Sequence, residues 1–391
     1  MSASSPGQPS GVCGEGRMEL SEYPHRLGRM YPGLMDAIMT MRFEHEWLSD
    51  EFVAESKRQA ENETAKKHHY VPQMYLRRWA VNKLVQPVQV DTGDVHPPQP
   101  PKDVAHEKNF YSLPATDSTM DTPLKWIEKH LSRIEDTCAH RLDSLEKWGA
   151  GVVSDDALKK DLAVFLGMQI TRTVSNRERT LVLVNGPDAA KREFLKQSGL
   201  GPEAIEESMS KRQDDPKHEA LDLMIKDVQN VTALGLHLRE WAVYRTDAPL
   251  VTCDDPVIFL AGPPNTRDRA GVAGNSAVAL YPLNPYQVLV MLKPGLHHRG
   301  PYRLDHTETD SINTEVVAAA TKTTFERPGD EIAVKIEVPP WPERQELDDE
   351  TVARLSPQSA LKELLTDAAP RTRWVDLHTA PPWPVPRWYG N

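Results

Sequence analysis

The chain has 391 residues, 39% of them hydrophobic, and carries 46 Lys+Arg against 57 Asp+Glu, a formal net charge of -11. A chain of this length can bury one large core or two smaller ones, and its acidic balance repels a polyanion on average, so nucleic acid or a nucleotide has to be met by a local basic patch. Cys13, Cys138 and Cys253 fit neither a disulfide framework nor a paired-cysteine metal knuckle, which points to the cytoplasm, and no run approaches the roughly 20 apolar residues that span a bilayer, so neither export nor a membrane partner is expected.

In chain order, residues 1–16 read as a disordered N-terminus and 17–66 as an accessory helical segment. In that segment Leu34, Ile38, Met41, His45, Leu48 and Phe52 recur at helical spacing. "KKHHYVPQMYLRRWA", 66–80, follows. Its adjacent histidines, His68 and His69, point to opposite faces of a strand, so only one enters a given site. Pro72 and Gln73 then turn the chain into a short helix carrying Arg77 and Arg78, whose guanidinium forks suit anions. A hairpin is predicted around Thr92-Gly93 with Pro87 on an edge strand, and "NFYSLP" reads as a further strand.

Pro123 to Trp148 reads as a long helix with the stripe Leu124, Ile127, Leu131, Ile134, Cys138, Leu142 and Leu145, stopped by "GAG". A second helix starts near Ser154. Its apolar face, continued at the same period, brings Gln169, Thr173 and Asn176 inward with Arg172 at the edge, and a helical hairpin would set Arg172 against Glu135. "SGLGPEAIEESMSKRQDDP" reads as a linker before one more long helix. From residue 240 the character changes to strands: "WAVYRT", "LVTCDDPVIFL", "AVALYPLNP", "YQVLVMLKPG" and a last one in "EIAVKIEVPP", with a covering helix in "DSINTEVVAAATK". The class is α+β, a helical part at about 123–240 packed with a mainly antiparallel sheet, followed by a Pro/Trp-rich tail.

Asp254 and Asp255 stand where an apolar strand breaks before Pro256. There they can bind a metal ion or act as acid and base, or simply shape a turn. Cys253 has no base beside it and reads as a buried thiol. "HHYVP" is similar to the "HHIVP" stretch of HNH nucleases, with Asn82 and His96 in order, but the helix here follows the motif directly and His96 lies in a Pro-rich loop.

The ordered set "HHYVPQMYLRRWA", "EKNFYSL", "RIED", "LGMQITR", "WAVYRT", "VTCDDPV", "YPLNPYQVLVM" and "SINTEV" resembles the bacterial family known as domain of unknown function 4238. The resemblance implies a core domain at 67–326 and a C-terminal extension at 327–391. It carries over His68, His69, Gln73, Arg77, Glu135, Gln169, Arg172, Asp254 and Asn313 as matching polar residues. It has Cys253 and Asp255 where the family shows Ser and Asn, and it assigns no activity.

Two functions are compatible with these residues. The first is a hydrolase of a phosphodiester or nucleotide, with His68, His69, Glu135 and Asp254 as catalytic groups. In it Gln73, Arg77, Gln169, Arg172 and Asn313 contact substrate, and Asp254 with Asp255 holds a divalent metal ion as cofactor. The second is a non-catalytic module binding nucleic acid or protein, in which the same residues form a buried network. Convergence on an open cleft favours the first; enclosure favours the second.

Overall fold

"VALYPLN" and "QVLVML" hold almost no polar residue in alternation, the pattern of strands buried on both faces. In the computed structural model, which describes residues 43–63, 66–113, 123–210, 216–227, 232–343, 351 and 354–390, they are β8 (Val278–Asn284) and β9 (Gln287–Leu292) of a six-stranded sheet. The order is β10 (Arg303–Leu304), β5 (Glu240–Thr246), β9, β8, β7 (Ile258–Leu260), with β4 (Gly151–Val152) also on β5. Only the β10–β5 pairing is parallel.

The two-residue period sorts side chains into two cores. Trp241, Val243, Ala279, Tyr281, Leu289 and Met291 face the helices. Ala242, Tyr244, Leu280, Val288, Val290 and Leu292 face α10 (His306–Ala319) and the C-terminal residues Val385 and Trp388. Each such Val or Leu contributes about 1.5–3 kcal/mol on burial, so covering both faces explains why no polar alternation survives.

The helices described are α1 (Asp50–Gln59), α2 (Gln73–Leu76), α3 (Trp126–Trp148), α4 (Asp156–Thr171), α5 (Val174–Asn185), α6 (Asp188–Gln197), α7 (Pro202–Ser210), α8 (Pro216–Asp227), α9 (Ala233–His237), α10 and α11 (Pro357–Asp367). The stripe of α3 is buried from Ile127 to Leu145. Its hairpin with α4 is fixed by Arg172 on Glu135 (2.5 Å) and Arg141 on Asp161 (2.6 Å). Two smaller sheets complete the fold: β1 (Lys67–His69) with β3 (His106–Lys108), and β2 (Gln86–Gln89), β11 (Thr323–Glu326), β6 (Thr252–Cys253) in that order. Pro87 lies on the edge strand β2, where its missing N–H costs no ladder bond.

Several expectations are corrected. Leu34, Ile38, Met41 and the predicted disordered N-terminus lie outside the described residues. The rest of the first predicted helix is broken at Ser49, whose extended backbone and hydroxyl cap α1 through the Phe52 N–H. The strand expected at "NFYSLP" instead ends at Lys108, because Asn109 adopts a positive φ of 53°. Asp155, not Ser154, caps α4, and the presumed linker after Ser198 contains α7. "EIAVKIEVPP" holds a single helical turn (Ala333–Lys335) rather than a strand, since the Glu326 carboxylate accepts the Ile332 and Ala333 N–H groups and curls the chain.

Candidate functional site

β1 alternates as its sequence dictates. His68 points into the core with no exposed surface, and its Nδ1 accepts the Tyr111 N–H at 2.9 Å, which places its proton on Nε2. The ring stacks on Tyr111 with centroids 5.8 Å apart. His69 takes the other face, donating from Nε2 to the Lys102 carbonyl (3.2 Å) and facing the Gln73 amide across Nδ1 (3.5 Å). Burial pushes its pKa down to about 4, against the pull of the Lys102 carbonyl and with help from His106 and Arg172. Burial does the same to His130, also down to about 4.

A histidine neutral in the fold but titrating normally when unfolded removes stability as pH falls from its ordinary value of about 6.5 towards 4, because the unfolded chain takes up the proton first. In an NMR titration the His69 and His130 ring signals are therefore expected to stay flat from about pH 8 to about pH 5. A midpoint near 6.5 for His69 would contradict its enclosure.

Arg172 lies where α4 stops. Thr173 is extended and its hydroxyl caps α5, so the predicted polar track runs into a break between two helices and not along one continuous face. The Arg172 guanidinium is buried, bonded through Nη1 to Glu135 and through Nη2 to the His69 carbonyl. Burial disfavours its charge, yet Glu135 and Tyr111 outweigh that and raise its pKa. Tyr111 donates its hydroxyl to the Arg172 carbonyl (2.8 Å), and the Gln169 amide donates to the Tyr70 carbonyl (3.0 Å). The end of α4 thus holds the main chain of residues 69–70.

The second group is on the sheet side. Asp254 is buried and accepts three main-chain N–H groups, Thr321 (2.7 Å), Lys322 (2.8 Å) and Thr323 (3.0 Å). Burial pushes its pKa up to about 6, and those donors keep it from rising further. Asn313 of α10 accepts the Val251 N–H (3.0 Å) and donates to the Pro249 carbonyl (3.0 Å). Cys253 is buried, and burial drives its thiol pKa well above the ordinary value, the opposite of a nucleophile's environment.

The predicted residues are therefore not brought together at one open point. Both Asp254 oxygens are engaged by main-chain donors, and among the described residues no three His, Cys, Asp or Glu side chains form a metal-holding group. Arg77 is exposed at the end of α2, because the following turn sends Trp79 inward to donate to the Leu250 carbonyl (2.9 Å). Its neighbour Arg78 is the engaged one, on Asp143 (2.8 Å) and Glu146.

Asp255 does line a cleft, of about 540 Å³, together with Thr173 and Asn176 of the expected polar track. It accepts the Ser175 hydroxyl (2.5 Å) at the start of α5, and burial on its protein side pushes its pKa up to about 7 against that bond. The opposite wall is formed by the loop after β7, pinned by buried Arg239 on the Ala273 (2.7 Å) and Ser276 (3.0 Å) carbonyls. Buried Arg267 pairs with Glu315 (2.6 Å) and lies over the Trp383 (4.2 Å) and Trp374 (5.5 Å) rings. Arg269, Lys322, Arg371 and Trp341 complete the lining. Of this lining only Asp255, Thr173 and Asn176 are singled out by the sequence; the Trp and Pro of the tail read there only as a C-terminal extension.

A family model described as a protein of unknown function (DUF4238) matches residues 67–330. No curated protein and no solved structure matches the chain.

Proposed function

Since the chain belongs to the DUF4238 family of proteins of unknown function, we propose that it is a non-catalytic binding module in which the family-matching polar residues are scaffolding and the cleft beside Asp255 is the ligand seat. One observation carries this reading. His68, Gln169, Arg172, Asp254 and Asn313 are buried, and each spends polar atoms on main-chain groups from a segment far away in sequence. Such bonds fix how the helical and strand parts meet, whereas a catalytic group needs an open face towards substrate. The cleft has the size of a small-molecule site, and the net charge of -11 disfavours a nucleic-acid polymer. Two buried free thiols, Cys138 and Cys253, accord with a reducing compartment.

Hydrolysis of a phosphodiester or nucleotide is the second reading, and it has one observation in its favour. Asp255 lines the cleft beside the Ser175 hydroxyl, and burial raises its pKa to about 7, as a general base working near neutral pH requires. Product release from DNA, RNA and nucleotides with Mg²⁺, Mn²⁺ or Zn²⁺ separates the two. The binding reading expects no turnover above buffer, in wild type or in Asp255→Asn; metal-dependent turnover lost in Asp255→Asn would replace it with the hydrolase.

A further inference from the structure

The cleft lining divides by charge. Arg267 is neutralised by Glu315, and Asp91 is bonded by Arg373 (2.8 Å), a fully buried arginine that also donates to the Pro339 carbonyl (2.8 Å). Among the described residues the rest of the charged lining is Arg179, Arg269, Lys322 and Arg371 with Glu178 and Asp255.

Two of the cations are uncommitted. Arg269 and Lys322 are exposed, and among the described residues neither side chain has a hydrogen-bond or ion-pair partner. Arg371 is oriented by its bond to the Pro342 carbonyl (2.8 Å) and by Trp341, 5.7 Å away. Arg179 is anchored on the Ala368 carbonyl (2.8 Å). Asp255 supplies a different chemistry: Oδ2 takes the Ser175 hydroxyl, while Oδ1 has no partner among the described residues and can accept a ligand hydroxyl.

We propose that the cleft binds a small phosphate monoester bearing free hydroxyl groups, the chemistry shared by nucleoside monophosphates and sugar phosphates. The phosphate sits on Arg269, Lys322 and Arg371, and a hydroxyl sits on Asp255. A monoester carries about -1.5 to -2 charges near neutral pH, which the exposed Arg269 and Lys322 can meet, and planar guanidinium forks bind its oxygens in pairs. Arg371 and Trp341 lie beyond residue 330, so the C-terminal extension builds part of the phosphate seat on the family-matched floor. This inference rests on the cleft being the ligand seat.

Isothermal titration of the full chain at low salt with AMP, ribose 5-phosphate, adenosine, ribose and malate tests it. Saturable binding of AMP or ribose 5-phosphate is expected, with adenosine, ribose and malate at least tenfold weaker. Arg269→Ser/Lys322→Ser, which removes two exposed cations and leaves the fold intact, should weaken the phosphorylated ligand at least tenfold without moving the melting temperature. Which of the two phosphorylated probes binds tighter tells nucleotide from sugar phosphate. The proposal is overturned if neither phosphorylated probe binds, if malate or adenosine binds as tightly, or if the double variant binds like wild type. Inorganic phosphate appearing during the AMP titration would leave the ligand class standing and sink the non-catalytic reading, so the two failures are distinguishable.

Discussion

Arg172→Leu is expected to destabilise the protein by about 3–5 kcal/mol, read as a lower urea midpoint at unchanged m-value. The side chain is 3% exposed, and its removal strips Glu135 of its counter-charge and the His69 carbonyl of a donor at once. Leucine fills part of the space but offers no N–H, so both acceptors stay in place without a partner. Glu135 is 22% exposed and can regain water, which favours the lower half of the range. Glu135→Gln keeps an acceptor opposite Nη1 and should cost only about 1–2 kcal/mol. A loss below about 1 kcal/mol for Arg172→Leu would mean that the pair does not hold α3, α4 and β1 together.

Asp254→Ala should be comparably damaging for a different reason. One carboxylate satisfies the N–H groups of Thr321, Lys322 and Thr323, and alanine leaves three donors around a buried position without their acceptor. Each orphaned donor costs about 1–3 kcal/mol, and relaxation of the 321–323 segment keeps the sum to about 3–5 kcal/mol. Asp254→Asn restores a single acceptor but aims an amide NH₂ at the remaining donors, so it should rescue little. The same segment carries Lys322, so ligand binding in the cleft should weaken in both variants alongside stability.

What the sequence disclosed and what it hid follow from the range of each interaction. The stripe of α3 and the strands from Glu240 to Leu292 were legible because their signal is local periodicity. The Glu135–Arg172 pair was legible because two consecutive helices joined by a Gly-containing turn leave one way to face. The break at Thr173 was missed: a Thr in mid-pattern reads as a polar face until its hydroxyl is seen capping α5. The roles of His68, Asp254 and Asn313 were out of reach, since their partners are main-chain amides of Tyr111, of 321–323 and of Val251. The cleft draws Ser175, Asp255, Arg269, Lys322 and Arg371 from remote segments, so nothing in any single window marks it.

The scaffolding role is tested most directly by amide hydrogen exchange under native conditions at five positions. Tyr111, Val251, Thr321, Lys322 and Thr323 donate their N–H groups to His68, Asn313 and Asp254 side chains and not to a strand or helix ladder. All five are expected to exchange as slowly as the amides of β9, through global unfolding, with Tyr111 in His68→Ala and residues 321–323 in Asp254→Ala becoming faster than β9 measured in the same variant. Rapid exchange at these positions in the wild type, while β9 stays protected, would contradict the account and return the histidines and Asp254 to the list of catalytic candidates.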